Sequence, residues 1–160
     1  MMSIETRHSR LYRFCSHFKI LFYIIFMTLG TVNPASSASE KKLPLCRDSP
    51  NCVSSQAEDA PHFIAPFRIS GSPEKAWQAL KKALNSQSRM VITDETADTL
   101  HAEATSLIFR FVDDINAILD TDMNLIHIRS ASRTGYSDFG VNRKRIEALR
   151  VQLQKAHAIE

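Results

Sequence analysis

The chain has 160 residues, 44% hydrophobic and 23% charged, which suits one globular domain and gives no sign of a second core. Its formal charge is +3, but residues 1–39 hold four of the 20 Lys and Arg and one of the 17 Asp and Glu, so the remainder carries 16 of each. A balanced remainder gives no case for a nucleic-acid-binding protein.

At the N-terminus Arg7, Arg10, Arg13 and Lys19 precede an apolar run over residues 20–32, and small residues follow from Ala35 to Ser39. This is the pattern of a secretory signal peptide. A run of thirteen residues falls short of the roughly 20 that cross a bilayer core. Cleavage near Ala38 or Ser39 is therefore expected, with an uncleaved membrane anchor as the alternative and the only expected membrane link. Export to a periplasmic or secreted location follows. Cys46 is not a lipoprotein site, because the bulky Leu45 precedes it.

Cys15 leaves with the signal. Cys46 and Cys52 flank Arg-Asp-Ser-Pro-Asn, a turn-forming sequence that lets the two sulfurs meet. In an oxidising compartment a disulfide is expected, contributing about 2 kcal/mol for so short a loop. The spacing is not C-x-x-C, and no histidine lies beside either cysteine, so a thiol oxidoreductase and a zinc site are both disfavoured. The rest of residues 40–61 reads as an irregular lead-in.

The domain proper is expected over residues 62–157. A strand at 62–69, interrupted by Pro66, belongs at a sheet edge. Ser72-Pro73-Glu74 starts a helix: Ser72 caps, Pro73 takes the first turn and Glu74 matches the dipole. Trp77, Leu80 and Leu84 then form its core-facing stripe. Strands follow at 90–93, 100–105, 107–115 and 125–130, joined by short acidic turns that suit antiparallel neighbours. The order β-α-β-β-β-β-α predicts an α+β fold: an antiparallel sheet of four to five strands with two helices packed on one face.

Alternation assigns the two faces. Leu100, Ala102, Ala104, Leu107, Phe109, Phe111, Ile126 and Ile128 are expected to face the helices, and His101, Glu103, Arg110, Asp114, His127 and Arg129 to face outward. The outward set admits two readings. One is a solvated surface with pairs such as Glu103 with Arg110. The other is an envelope hydrolase that uses His101 or His127 with Glu103, on a metal or as a general base. No G-x-S-x-G, S-x-x-K, H-E-x-x-H, P-loop or dinucleotide fingerprint occurs, so neither a catalytic residue nor a metal or cofactor is assigned.

Residues 129–145, RSASRTGYSDFGVNRKR, hold the densest donor chemistry in the chain. From Arg129 to Lys155 there are seven cations against Asp138 and Glu147. Arg143, Lys144 and Arg145 fall at the start of the last helix, whose Ile146, Leu149 and Leu153 face the core. Cations there oppose the helix dipole by roughly 0.3–1 kcal/mol each. An anion would relieve the conflict. The leading expectation is binding of an anionic small molecule, a lipid headgroup or an acidic protein partner by Arg129, Arg133 and Arg143, with Ser130, Tyr136 and Asn142 orienting it. Asp138 is expected to hold the loop, with either Asp138 or Asn142 as the helix cap and Gly135 and Gly140 at positive φ. A structural or assembly protein, whose loop arginines form internal salt bridges, is the alternative.

Three ordered motifs resemble one family: Cys46-Arg-Asp-Ser-Pro-Asn-Cys-Val-Ser-Ser55, then His101-Ala-Glu103 with Phe109-Arg-Phe-Val-Asp-Asp114, then Ile128-Arg-Ser-Ala-Ser-Arg133 with Gly135-Tyr-Ser-Asp138 and Gly140-Val-Asn-Arg143. Together they are similar to the domain of unknown function 1499 family, over about residues 46–153. The resemblance implies that the motif segments share one domain. It supplies no activity, substrate or catalytic residue to transfer. Membrane association in part of that family keeps the anchor alternative at residues 20–32 open.

Overall fold

Alternating apolar residues between positions 90 and 132 build four antiparallel strands, and two amphipathic helices cover one side of them. The computed structural model describes residues 41–160. In chain order the elements are β1 (Cys52–Ser54), β2 (Phe67–Arg68), α1 (Pro73–Asn85), β3 (Met90–Glu95), β4 (Thr99–Thr105), β5 (Val112–Asp120), β6 (Leu125–Ser132) and α2 (Val141–Lys155). The signal peptide expected in residues 1–39 lies outside the described residues. Among the described residues no helix is long and apolar enough to cross a membrane.

The sheet order is β1-β6-β5-β4-β3, with β2 pairing β6 as well, and every strand pairing is antiparallel. The α+β expectation holds, with six strands rather than four to five. The additional strand is β1, which pairs residues 52–54 with 129–131 of β6. Part of the stretch expected to be irregular is therefore sheet. Three residues are too few for alternation to show in a sequence. The strand expected at 62–69 contracts to Phe67–Arg68 at the same edge, beside Pro66.

Local signals fix both helix starts. The Lys75 N–H donates to Ser72 Oγ at 3.4 Å, and Pro73 sits in the first turn. For α2 the cap position is Gly140, whose φ of 76° is open to glycine at low cost. The cap itself comes from Asp138, whose carboxylate accepts the N–H groups of Gly140 and Asn142, both at 2.8 Å. Between the layers Trp77, Leu80 and Leu84 of α1 and Ile146, Leu149 and Leu153 of α2 pack on Leu100, Ile115, Ile126 and Ile128. The disulfide, the core and both helices all belong to one compact unit, Glu40–Glu160. Its core, its disulfide and its helix caps are all made by its own residues.

One expected strand is displaced. Residues 107–115 alternate convincingly, yet β4 ends at Thr105 and β5 begins only at Val112. Between them the Ser106 N–H donates to Phe111 O at 2.8 Å, closing a turn in which Arg110 has φ 58°. Leu107, Phe109 and Phe111, expected to face the helices, are instead more than half exposed. Arg110 belongs to that turn and not to the outer face. The true alternation starts at Asp113 and places Asp113, Ile115 and Ala117 inward and Asp114 and Asn116 outward.

Candidate functional site

Polar side chains gather at one end of the sheet in two layers. Inside, between sheet and α2, Asn142 and Ser130 are fully buried. Buried polar groups are tolerated only when hydrogen-bonded, and here they are. Asn142 Oδ1 accepts from Ser130 Oγ and from Arg145 Nη1, both at 2.6 Å. Its amide donates to Asp138 Oδ2 at 2.7 Å and to Asn51 O and Ser132 Oγ at 3.0 Å. Arg145 Nη2 closes the network on Asp113 Oδ2 at 2.6 Å. Arg145 is thus cancelled by an internal acid, which resolves its conflict with the helix dipole without a ligand.

The outer face carries a second cluster set by register. β4, β5 and β6 align Glu103, Asp114 and Ala131 in one row and His101, Asn116 and Arg129 in the next. Arg133 bridges Asp114, at 2.7 Å, and Glu103. His101 Nε2 meets Asp114 Oδ1 at 2.8 Å, and its Nδ1 meets Thr93 Oγ1 at 2.7 Å. Burial raises the Asp114 pKa, but hydrogen bonds from Arg133 and His101 outweigh it and hold the carboxyl below its ordinary value. The same bonds, from Asp114 first and Glu103 second, push Arg133 upward.

That shift has a stability consequence. A carboxyl depressed in the folded state contributes stability in full above its unfolded pKa of about 4, and the contribution is lost as pH falls through the lower folded value. Circular dichroism during acid titration is expected to show this loss below about pH 4. Asp114→Asn, which cannot titrate, should be less stable at neutral pH and show a shallower acid limb.

Among the described residues, His101, Glu103 and Asp114 could hold a metal ion, their ligand atoms lying within 4.8 Å of one another. Arg133 already occupies both carboxylates. His127 is not brought to them: it lies opposite Ile118, with Nδ1 3.3 Å from Ser55 Oγ and Nε2 3.9 Å from Asp120. Burial lowers the His127 pKa, against the pull of Asp120.

Beside the outer cluster, under the disulfide loop, lies a cleft of about 210 Å³ whose walls include Arg47, Asn51, Cys52, Asp114, Arg129 and Arg133. The disulfide joins Cys46 to Cys52 and carries Arg47 within its loop. Arg129 is the unusual member. Its Nη atoms donate to Asn116 Oδ1 at 3.3 Å and Leu45 O at 3.4 Å, both long bonds to neutral acceptors. Its buried Nε has no acceptor. Among the described residues neither Arg129 nor Arg47 has a carboxylate within 4.0 Å. Burial lowers the Arg129 pKa; Asp114 partly offsets this and the neighbouring Arg47 adds to it.

The six side chains expected to bind a ligand therefore part company. Arg129 and Arg133 reach the cleft. Ser130 and Asn142 lie in the interior network. Tyr136 points into solvent, and Arg143 donates to Phe63 O at 2.9 Å and Pro61 O at 2.8 Å. Sequence reading missed Arg47, although it sits inside the Cys46 to Cys52 motif, and Arg145, although it stands three residues from Asn142.

No curated protein matches the chain. The family model described as "Protein of unknown function (DUF1499)" matches residues 42–153, a span that includes the disulfide loop, both polar clusters and the cleft. The chain belongs to that family.

Proposed function

We propose that this is an exported domain that binds a small oxyanion, a carboxylate or phosphate group, in the cleft between the disulfide loop and β6. The observation that carries the reading is Arg129, a half-buried guanidinium that among the described residues has no carboxylate within 4.0 Å, leaves its Nε without an acceptor and has a second cation, Arg47, nearby. Burying an unpaired charge is costly, and a guanidinium fork matches an oxyanion in shape and sign. A cleft of about 210 Å³ is smaller than the ~300–1,000 Å³ typical of drug-sized ligands, so the occupant is small. The Cys46–Cys52 bridge supports an oxidising, hence periplasmic or secreted, location.

Calorimetric titration of residues 40–160 with phosphate and with acetate tests this. Arg47→Ala and Arg129→Ala are each expected to weaken binding by roughly ten-fold or more, the scale of a charge-assisted hydrogen bond. Arg143→Ala, which touches only backbone carbonyls, should leave binding unchanged. Equal affinity in all four proteins, or no binding to either anion, ends the proposal. The assembly reading, in which loop arginines are scaffold, draws support from Arg133 and Arg145, both already paired. A silent titration would favour it.

A further inference from the structure

The turn between β4 and β5 leaves Leu107, Ile108, Phe109 and Phe111 exposed in close succession. Single exposed apolar residues need no explanation, but a contiguous group of four large ones does. The turn is also pinned at its base. Its neck is closed by the Ser106 N–H on Phe111 O and the Phe111 N–H on Ser106 Oγ, at 2.8 and 2.9 Å. The rings of Phe109 and Phe111 stack with centroids 5.5 Å apart. The loop that leaves β6 starts at the same end, where the Arg133 N–H donates to Val112 O at 3.0 Å, and it exposes Tyr136 and Phe139.

The exposed charges at this end that lack a partner of opposite sign are basic. Arg89, Arg110 and Lys144 are exposed and, among the described residues, have no carboxylate within 4.0 Å. Local acids are already engaged: Glu103 by Arg133, Asp113 by Arg145 and Asp138 by the start of α2. The opposite end of the sheet, at the β3–β4 and β5–β6 turns, carries Glu95 and Asp98, paired with Lys81 and Lys41, and also Asp120 and Asp122. Exposed apolar side chains and unpaired cations therefore lie at one end of the sheet, and the acidic β5–β6 turn lies at the other.

We propose that this end docks on a membrane surface, with residues 107–111 inserting into the interfacial layer of a bilayer that carries anionic lipids and Arg89, Arg110 and Lys144 meeting the headgroup phosphates. Two features favour a bilayer as occupant. The exposed side chains occur at 107, 108, 109 and 111 around a turn, so they project in several directions; a fluid apolar layer accepts such a finger from every side, whereas a protein would need an encircling socket. The unpaired cations complement an anionic surface, and the acidic end would face away from it. None of these residues belongs to the Arg47–Arg129 cleft, so the inference stands apart from the oxyanion proposal.

Flotation of residues 40–160 with vesicles of phosphatidylcholine, with and without phosphatidylglycerol, tests it. Binding is expected to the anionic vesicles and to weaken with added salt. Phe109→Ser with Phe111→Ser, and separately Arg110→Glu, should each reduce binding about ten-fold. All three positions are exposed, so the fold does not depend on them. Met123→Ser, at the acidic end, should bind as the parent does. Phe109→Trp should shift its emission to the blue on vesicle addition. Failure to bind anionic vesicles, binding indifferent to the paired Phe substitutions, or a Phe109→Trp emission that stays unshifted would each overturn the proposal. So would a dimer abolished by the same substitutions in the absence of vesicle binding, which would give the finger to a second copy of the chain.

Discussion

Arg145→Ala lowers the stability of the domain by about 3–5 kcal/mol in denaturant titrations, the cost of removing one partner from a buried ion pair. Arg145 and Asp113 retain only 13% and 12% of their side-chain exposure and lie 2.6 Å apart. Deleting the guanidinium leaves the mostly buried Asp113 carboxylate without its charged partner. Asn142 Oδ1 keeps the Ser130 hydroxyl as donor, so the damage centres on Asp113. For a domain of this size such a loss lowers the melting temperature by roughly 10–20 °C. Asp113→Leu with Arg145→Met should recover much of it, because a buried pair exchanged for apolar groups of similar volume is often neutral or better. If Arg145→Ala alone melted within a degree or two of the parent, the pair would be a surface contact and the interior network would not fix α2 to the sheet.

That network marks the boundary of what the sequence revealed. The Ser72-Pro73-Glu74 start, the Trp77, Leu80 and Leu84 stripe and the alternation at 100–105 are local signals, and each became the element they announced. The segment 107–115 misled because Leu107, Phe109 and Phe111 alternate as a buried strand would, while exposure depends on where β4 turns back. Alternation cannot report that. The arginines were harder still. Seven cations between Arg129 and Lys155 look alike in sequence, yet Arg133 and Arg145 meet acids that lie far back in the chain on β4 and β5, Arg143 meets carbonyls of residues 61 and 63, and Arg129 meets two neutral acceptors at the wall of the cleft. Which cation finds an acid is decided by strand register, a long-range property. The same holds for Arg47: its place in the cleft follows from the pairing of β1 with β6, and three residues cannot signal such a pairing.

The Cys46→Ser with Cys52→Ser variant is expected to lose about 2 kcal/mol of stability, the loop-closure contribution of so short a ring, and to bind oxyanion at least ten-fold more weakly if the cleft is the site. The two losses have separate origins. The first comes from the unfolded chain, which regains conformational freedom. The second comes from the folded state: Cys52 walls the cleft, Arg47 rides within the disulfide loop and Leu45 O accepts from Arg129, so all three depend on a segment held to the sheet by the three residues of β1 and, at its start, by Lys41 on Leu119 O and Asp98. Asn51 adds a further tether, its amide donating to Gly135 O at 2.6 Å while its carbonyl accepts from Asn142. The segment should therefore loosen without detaching. Near-normal far-ultraviolet circular dichroism, a lower denaturation midpoint and a disproportionate fall in anion affinity form the expected set. Reduction of the parent protein should reproduce all three, and reoxidation should restore them. Unchanged affinity in the reduced protein would mean that Arg129 and Arg133 suffice without the loop, and Arg47 would drop out of the site.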